Sequence, residues 1–285
     1  MGIVLGVNQY GKAETRLVRV DRDGDQHTVR DLNVSVALRG DLEGTHLTGD
    51  NATVLPTDTM KNTVYAFAGQ YGVGQIEDFG LRLARHFVDS QPSIHAAQIA
   101  IEEYGWTRLG PHSFARDGGE TRTAVLTYDG NAASAVGGLR GLVLLNSTDS
   151  EFWGYLKDAY TTLPETHDRV LATEVAARWR FGALPVEWVD SNAGVRAALI
   201  EAFVDTYSLS LQQTLYQMGY RVLEKRPEIA EVRLSLPNKH HLLVDLAPFG
   251  LDNPNEVFVA TDRPYGLIEG TVLRDDASPA GLAWW

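Results

Sequence analysis

The chain has 285 residues, enough for one large domain or two of about half that length. Its 44% hydrophobic and 22% charged content is that of a folded protein rather than a disordered one, and no apolar run approaches the ~20 residues needed to span a bilayer. A net charge of -12 excludes a broad nucleic-acid surface, and the lack of cysteine excludes disulfides, thiolate nucleophiles and cysteine-held metals.

The first segment, "MGIVLGVNQYGK", lacks the basic stretch that precedes the apolar core of a secretory leader. Lys12 opens a strand; such a lysine is ordinarily solvated, and when poised near a substrate it serves as a base. The turn signal "DRDGD" predicts a hairpin leading into "DLNVSVAL", where Leu32, Val34, Val36 and Leu38 alternate onto one face. In "NATVLPTDTMKN" Pro56 ends an extended segment, and Thr57 or Asp58 is expected to cap the helix that follows. Met60, Val64, Phe67 and Tyr71 recur at helical spacing. After Gly72 and Gly74, Ile76, Phe79, Leu83 and Phe87 do the same, up to Pro92. "SIHAAQIAIEEYGWTRL" and "TRTAVLTYDG" read as strands, completing the order strand, strand, helix, helix, strand, strand.

"DGNAASAVGG" suits a connector, and the order then repeats. "LRGLVLLNST" and "LATEVAARWRF" are strands; Val195, Leu199, Phe203 and then Leu211, Leu215, Met218, Val222 mark two helices; "EVRLSLPNKHHLLVDL" and "EVFVATD" are strands again. The pattern predicts an α+β protein of two domains, residues 1–135 and 136–285, each an antiparallel four-stranded sheet with two helices on one face. Sheets of this kind have open edges, which folded proteins pair or cover, so an oligomer closed into a barrel is expected.

Three further stretches carry candidate chemistry. In "SEFWGYLKDAYTTLPETHDR", Phe152 and Trp153 read as core residues, while Arg169 beside aromatics has the fork of donors that clamps a planar anion. Gln212 and Gln213 open a helix, as a solvated face or as an amide that reads both a donor and an acceptor. On a continuous strand "SLPNKHHLLVDL", Asn238 and His240 share one face and Lys239 and His241 the other, so the two histidines are poorly placed to hold one metal. No Walker A loop, Rossmann fingerprint or G-x-S-x-G elbow is present.

Taken in order, "NQYGK", "HTVRDLNVSVALRGD", "GDNATVLPTDTMKNTVY", "SEFWGYLKDAYTTLPETHDR", "LQQTLYQM" and "SLPNKHH" resemble segments of the urate oxidase (uricase) family along nearly the whole chain. The resemblance implies tandem T-fold domains, with four chains forming a tunnel-shaped barrel and active sites at the subunit interfaces. It implies oxidation of urate by molecular oxygen to 5-hydroxyisourate and hydrogen peroxide, with neither metal nor organic cofactor. Lys12, Thr57 and His240 would form a proton relay. Asp58 would offer its backbone N–H to the purine, Phe152 would stack on the ring, and Arg169 and Gln212 would grip its edge. Leu163 and Leu211 would line the pocket, Leu211 standing where the family often has valine, and Asn238 would face the oxygen or peroxide site. "SPAGLAWW" lacks the Ser-Lys-Leu address of some relatives, so a cytoplasmic location is expected, with no nucleic-acid or membrane partner. A metal-dependent T-fold enzyme acting on a purine or pterin, and a purine-binding protein without catalysis, are the competing possibilities. The two tryptophans Trp284 and Trp285 have no role in this scheme.

Overall fold

A computed structural model describes residues 2–285. The chain forms two compact units. The first comprises residues up to 138 together with Arg180–Asp190 and Ser278–Trp285; the second comprises Leu139–Trp179 and Ser191–Ala277.

In the first unit, β1 (Tyr10–Asp21), β2 (Thr28–Gly40), β3 (Ile94–Tyr104) and β6 (Thr121–Tyr128) lie side by side in that order, every pair antiparallel. The alternation read from β2 sets its register: Leu32, Val34, Val36 and Leu38 are all buried, on the face that the helices cover. A five-residue helix α1 (Glu43–Leu47), for which the sequence carries no periodic signal, precedes α2 (Thr57–Tyr71) and α3 (Ile76–Asp89). Helix α2 packs against β1, and α3 against β3 and β6. All four apolar positions foreseen in α3 are buried, each contributing about 1.5–3 kcal/mol. The α3 backbone comes close to the sheet at Gly80, where a Cβ would stand 2.6 Å from the Leu126 side chain. In α2 the inward stripe is Met60, Val64 and Ala68; Tyr71, expected on it, is 51% exposed and lies under the Arg82 guanidinium at 5.0 Å.

Two expectations in this unit are corrected. "SIHAAQIAIEEYGWTRL" is not one strand: β3 ends at Tyr104, and after Gly105 a separate two-stranded ribbon forms from β4 (Trp106–Arg108) and β5 (Phe114–Arg116). Buried Asp31 anchors this ribbon by accepting from Trp106 Nε1 at 3.1 Å and Arg116 at 3.0 Å. The supposed connector is itself strand, since β7 (Ala133–Asn146) begins within "NAASAVGG". Small residues are tolerated there because Ala135 and Val136 are buried, where the β7 backbone is closely covered. The chain passes from the first unit to the second inside this strand, after Gly138.

In the second unit β8 (Leu171–Phe181) lies beside β9 (Ile229–Pro237), and β9 beside β12 (Leu267–Leu273). Helix α4 (Trp188–Asp205) and helix α5 (Leu211–Lys225) carry the predicted stripes, with Val195, Leu199, Phe203, Leu211, Leu215, Met218 and Val222 all buried. Helix α5 packs on β9 and β12. A close approach at Gly219, whose Cβ would meet Val272 at 2.5 Å, explains a glycine in mid-helix. The stretch "EVRLSLPNKHHLLVDL" divides after Pro237: Asn238 and Lys239 keep single backbone bonds to Gly266 and Ala172 before the chain leaves the sheet. Its continuation, β10 (His240–Leu243), pairs instead with β11 (Phe258–Thr261) in a small ribbon, and the strand beside β9 is β12, which the sequence pattern did not single out. No helix among the described residues is long and apolar enough to cross a membrane.

Candidate functional site

Lys12, Thr57 and Asp58 belong to the first unit; Phe152, Leu163, Arg169, Leu211, Gln212, Asn238 and His240 belong to the second.

Half-buried Lys12 sits where β1 departs from regular pairing with β2: the register shifts between Lys12 and Thr15, and Glu14 takes a left-handed φ of 56°. Bulges of this kind re-aim a side chain. Gly11 permits the arrangement, because a Cβ there would stand 1.8 Å from the Val36 carbonyl oxygen. One residue earlier, the Tyr10 hydroxyl donates to Leu55 O at 3.1 Å and accepts from Leu55 N–H at 2.9 Å. Tyr10 therefore ties the strand carrying Lys12 to the segment that delivers Thr57. Burial raises its phenol pKa, against a smaller lowering by the Leu55 backbone. Nothing local in "NQYGK" reveals this role of Tyr10, whose partner is 45 residues away.

The capping expectation fails. Helix α2 starts at Thr57 with Pro56 in the N-cap position, and no side chain caps it. Pro56 holds the extended conformation an N-cap needs, at φ -55° and ψ 138°, but has no oxygen in its side chain to offer. Thr57 is half-buried with no side-chain hydrogen bond among the described residues. Asp58 is exposed and accepts from Lys61 and, at 2.9 Å, from Asn62. Its carboxyl is held below the ordinary range first by the Lys61 hydrogen bond and charge, then by Asn62 and a weaker pull from Lys12.

The second unit holds a cavity of about 340 Å³ lined by Phe152, Leu163, Arg169, Asn238, His240 and His241, among others. Phe152 is fixed by reciprocal backbone bonds with Thr166 at 2.9 and 3.0 Å, and Arg169 follows three residues on. The Arg169 guanidinium carbon lies 5.2 Å from the Phe152 ring centre, and Nε–H donates to Ser150 Oγ at 3.1 Å. No carboxylate among the described residues pairs with Arg169, and burial lowers its pKa below the usual guanidinium value. Tyr155 stacks on Phe152 at 4.8 Å, which holds the ring in place. Trp153 is not core: it is 53% exposed, donating to Glu151 at 2.5 Å.

Asn238 is placed by its N–H bond to Gly266 O at 2.8 Å and by a bridge to Thr173, and His240 by pairing with Thr261. His240 and His241 both border the cavity, as consecutive residues of β10. Leu211 is 3% exposed at the start of α5, packed into the core, while Gln212 beside it is exposed. Among the described residues no cluster of three or more His, Asp or Glu stands close enough together to hold a metal ion.

This arrangement can hold a flat anion: an aromatic ring, a guanidinium that pairs with no carboxylate, an amide and imidazoles border one cavity, with Glu165 and Asp168 also at its wall. The uricase family model matches residues 8–127 and 135–269. The chain is 52% identical to the uricase of Arthrobacter globiformis over 284 residues, spanning 99% of this chain and 94% of that one. It is 36% identical to the uricase of Dictyostelium discoideum, spanning 94% and 96%. The crystal structure of the Arthrobacter globiformis uricase superposes with a TM-score of 0.96 at 51% identity, covering 100% of this chain and 99% of that one. The urate oxidase of Bacillus sp. TB-90 superposes at 0.77 with 24% identity over 94% of this chain and 100% of that one, a likeness of fold. With the family model spanning both compact units, the chain belongs to the uricase family.

Proposed function

We propose that this chain catalyses urate + O2 + H2O → 5-hydroxyisourate + H2O2, a step of purine degradation, without metal or organic cofactor. One observation carries the assignment to a planar anion: half-buried Arg169 lies against Phe152 in the cavity with its guanidinium paired to no carboxylate, although Glu165 and Asp168 also border that cavity. A partly desolvated guanidinium gains from a bound anion that meets its fork of donors. Family membership supplies the identity of that anion.

In the proposed complex Phe152 stacks on the purine, and Arg169 and Gln212 grip its edge. Asp58 offers its backbone N–H, and Leu163 and Leu211 bound the pocket. Lys12, Thr57 and His240 pass protons, while Asn238 faces oxygen or peroxide. Urate carries its own reducing electrons, so the protein need supply only orientation and proton transfer. Lys12, Thr57 and Asp58 come from one subunit and the Arg169 cavity from another. The assembly is a homotetramer of tandem T-folds closed as a tunnel, and the enzyme works in the cytoplasm.

The test is loss of urate absorbance alongside oxygen uptake, on protein stripped by chelation. Matched consumption supports the proposal. Activity that disappears and returns only with added metal overturns its cofactor-free part. Urate binding without oxygen uptake reduces the protein to a binder.

A further inference from the structure

Ser150 is 0% exposed and grips Arg169 twice: its carbonyl accepts the Arg169 backbone N–H at 2.9 Å and its Oγ accepts Nε–H at 3.1 Å. Asp149, next to it, has a left-handed φ of 58°. That bend lets the chain run parallel with Ser208. Ser208 N–H donates to Asp149 O at 2.9 Å, and Glu151 N–H to Ser208 O at 2.8 Å.

Ser208 is also 0% exposed, and its hydroxyl continues the chain of bonds. It donates to Ser210 O at 3.1 Å and accepts from the Thr214 hydroxyl at 2.8 Å. Ser210 is the N-cap of α5, accepting from Gln213 N–H at 3.2 Å, and Gln213 returns a bond to Leu209 N–H at 2.8 Å. Backbone and side-chain hydrogen bonds, linked through residues 149–151, therefore join Arg169 to the first turn of α5, which carries Gln212.

We infer that Ser150 is a positioning residue for urate binding: by occupying Nε–H it fixes the guanidinium plane and leaves the two terminal nitrogens as the edge that meets the anion. This rests on the function proposed above. A guanidinium has more than one edge that can make paired bonds with a planar acceptor. With Nε–H engaged, only the terminal edge remains.

The experiment is a double-mutant cycle on urate Kd, measured without oxygen so that no turnover intrudes. Ser150→Ala is made in the wild-type background and in Arg169→Lys, which has no Nε–H. The expected result is about a tenfold weaker Kd from Ser150→Ala in the wild type and less than about twofold in Arg169→Lys. A merely structural serine would weaken binding equally in both backgrounds, which overturns the inference. So does an unchanged Kd in the wild-type background. Ser150→Cys keeps the volume with a weaker acceptor; it carries the same comparison if the alanine variant does not fold. Wild-type protein that fails to bind urate defeats the underlying function and this inference with it. Wild-type binding with an unaltered Ser150→Ala variant defeats this inference alone.

Discussion

Arg169 and Phe152 meet with the guanidinium carbon 5.2 Å from the ring centre, a cation held against an aromatic wall with no acidic partner among the described residues. Arg169→Lys keeps the charge but loses the planar fork. KM for urate is expected to rise about 10- to 100-fold, with the fold intact by circular dichroism. A KM within twofold of wild type would show that charge alone is recognised.

Thr57 heads α2 without capping it, so its hydroxyl is spare as far as folding goes. Thr57→Ala is expected to change stability by less than about 0.5 kcal/mol while lowering kcat about 100-fold. Urea titration and steady-state kinetics measure the two. Equal proportional losses would return the residue to a structural role.

The clamp of Tyr10 on Leu55 gives a prediction with a pH sign. Its phenol pKa is raised in the folded state, first by burial. The proton is therefore held more tightly folded than unfolded. The stability this represents is complete below the unfolded value near 10.0 and is lost as pH rises through the raised folded value. Alkaline unfolding curves should show that component, and Tyr10→Phe should remove it. The same substitution leaves both Leu55 backbone groups without the hydroxyl, at a cost of about 1–3 kcal/mol, and should lower kcat by loosening Thr57.

At Gly11 there is no room for a methyl group beside the Val36 carbonyl. Gly11→Ala is expected to cost about 1–3 kcal/mol and to depress kcat by moving Lys12. Normal kcat in a destabilised variant would mean that the bulge does not aim Lys12.

If sites are shared between subunits, Lys12→Ala and Arg169→Ala should each be inactive, and mixed refolding of the two should recover activity. Recovery is expected because some sites then receive both intact halves. A mixture as inactive as its components would place each site within one chain.

Much of this was legible in local pattern. Alternation fixed the inward face of β2, and helical spacing marked α3 and α5 because their stripes face sheets directly. The recognition segments also carried the cavity residues Phe152, Arg169, Asn238 and His240. What was missed depends on partners distant in sequence or on backbone chemistry that composition blurs. Tyr10 and Ser150 act through residues 45 and 19 positions away. The break at Pro237 was hidden inside a run whose alternation looks continuous, and "AASAVGG" looked like a connector because a tightly covered strand also favours small side chains. Thr57 followed the usual preference for a cap, but the N-cap position had gone to Pro56.

The first compact unit is completed by Arg180–Asp190 and Ser278–Trp285. Gln98 donates to Trp285 O at 2.6 Å, the Trp285 ring lies 3.7 Å under the Arg39 guanidinium, and Ala283 is 2% exposed. Gln98 and Arg39 stand on the neighbouring strands β3 and β2, so Trp285 fastens two strands of one sheet at once, and a chain cut before Ser278 loses both fastenings together.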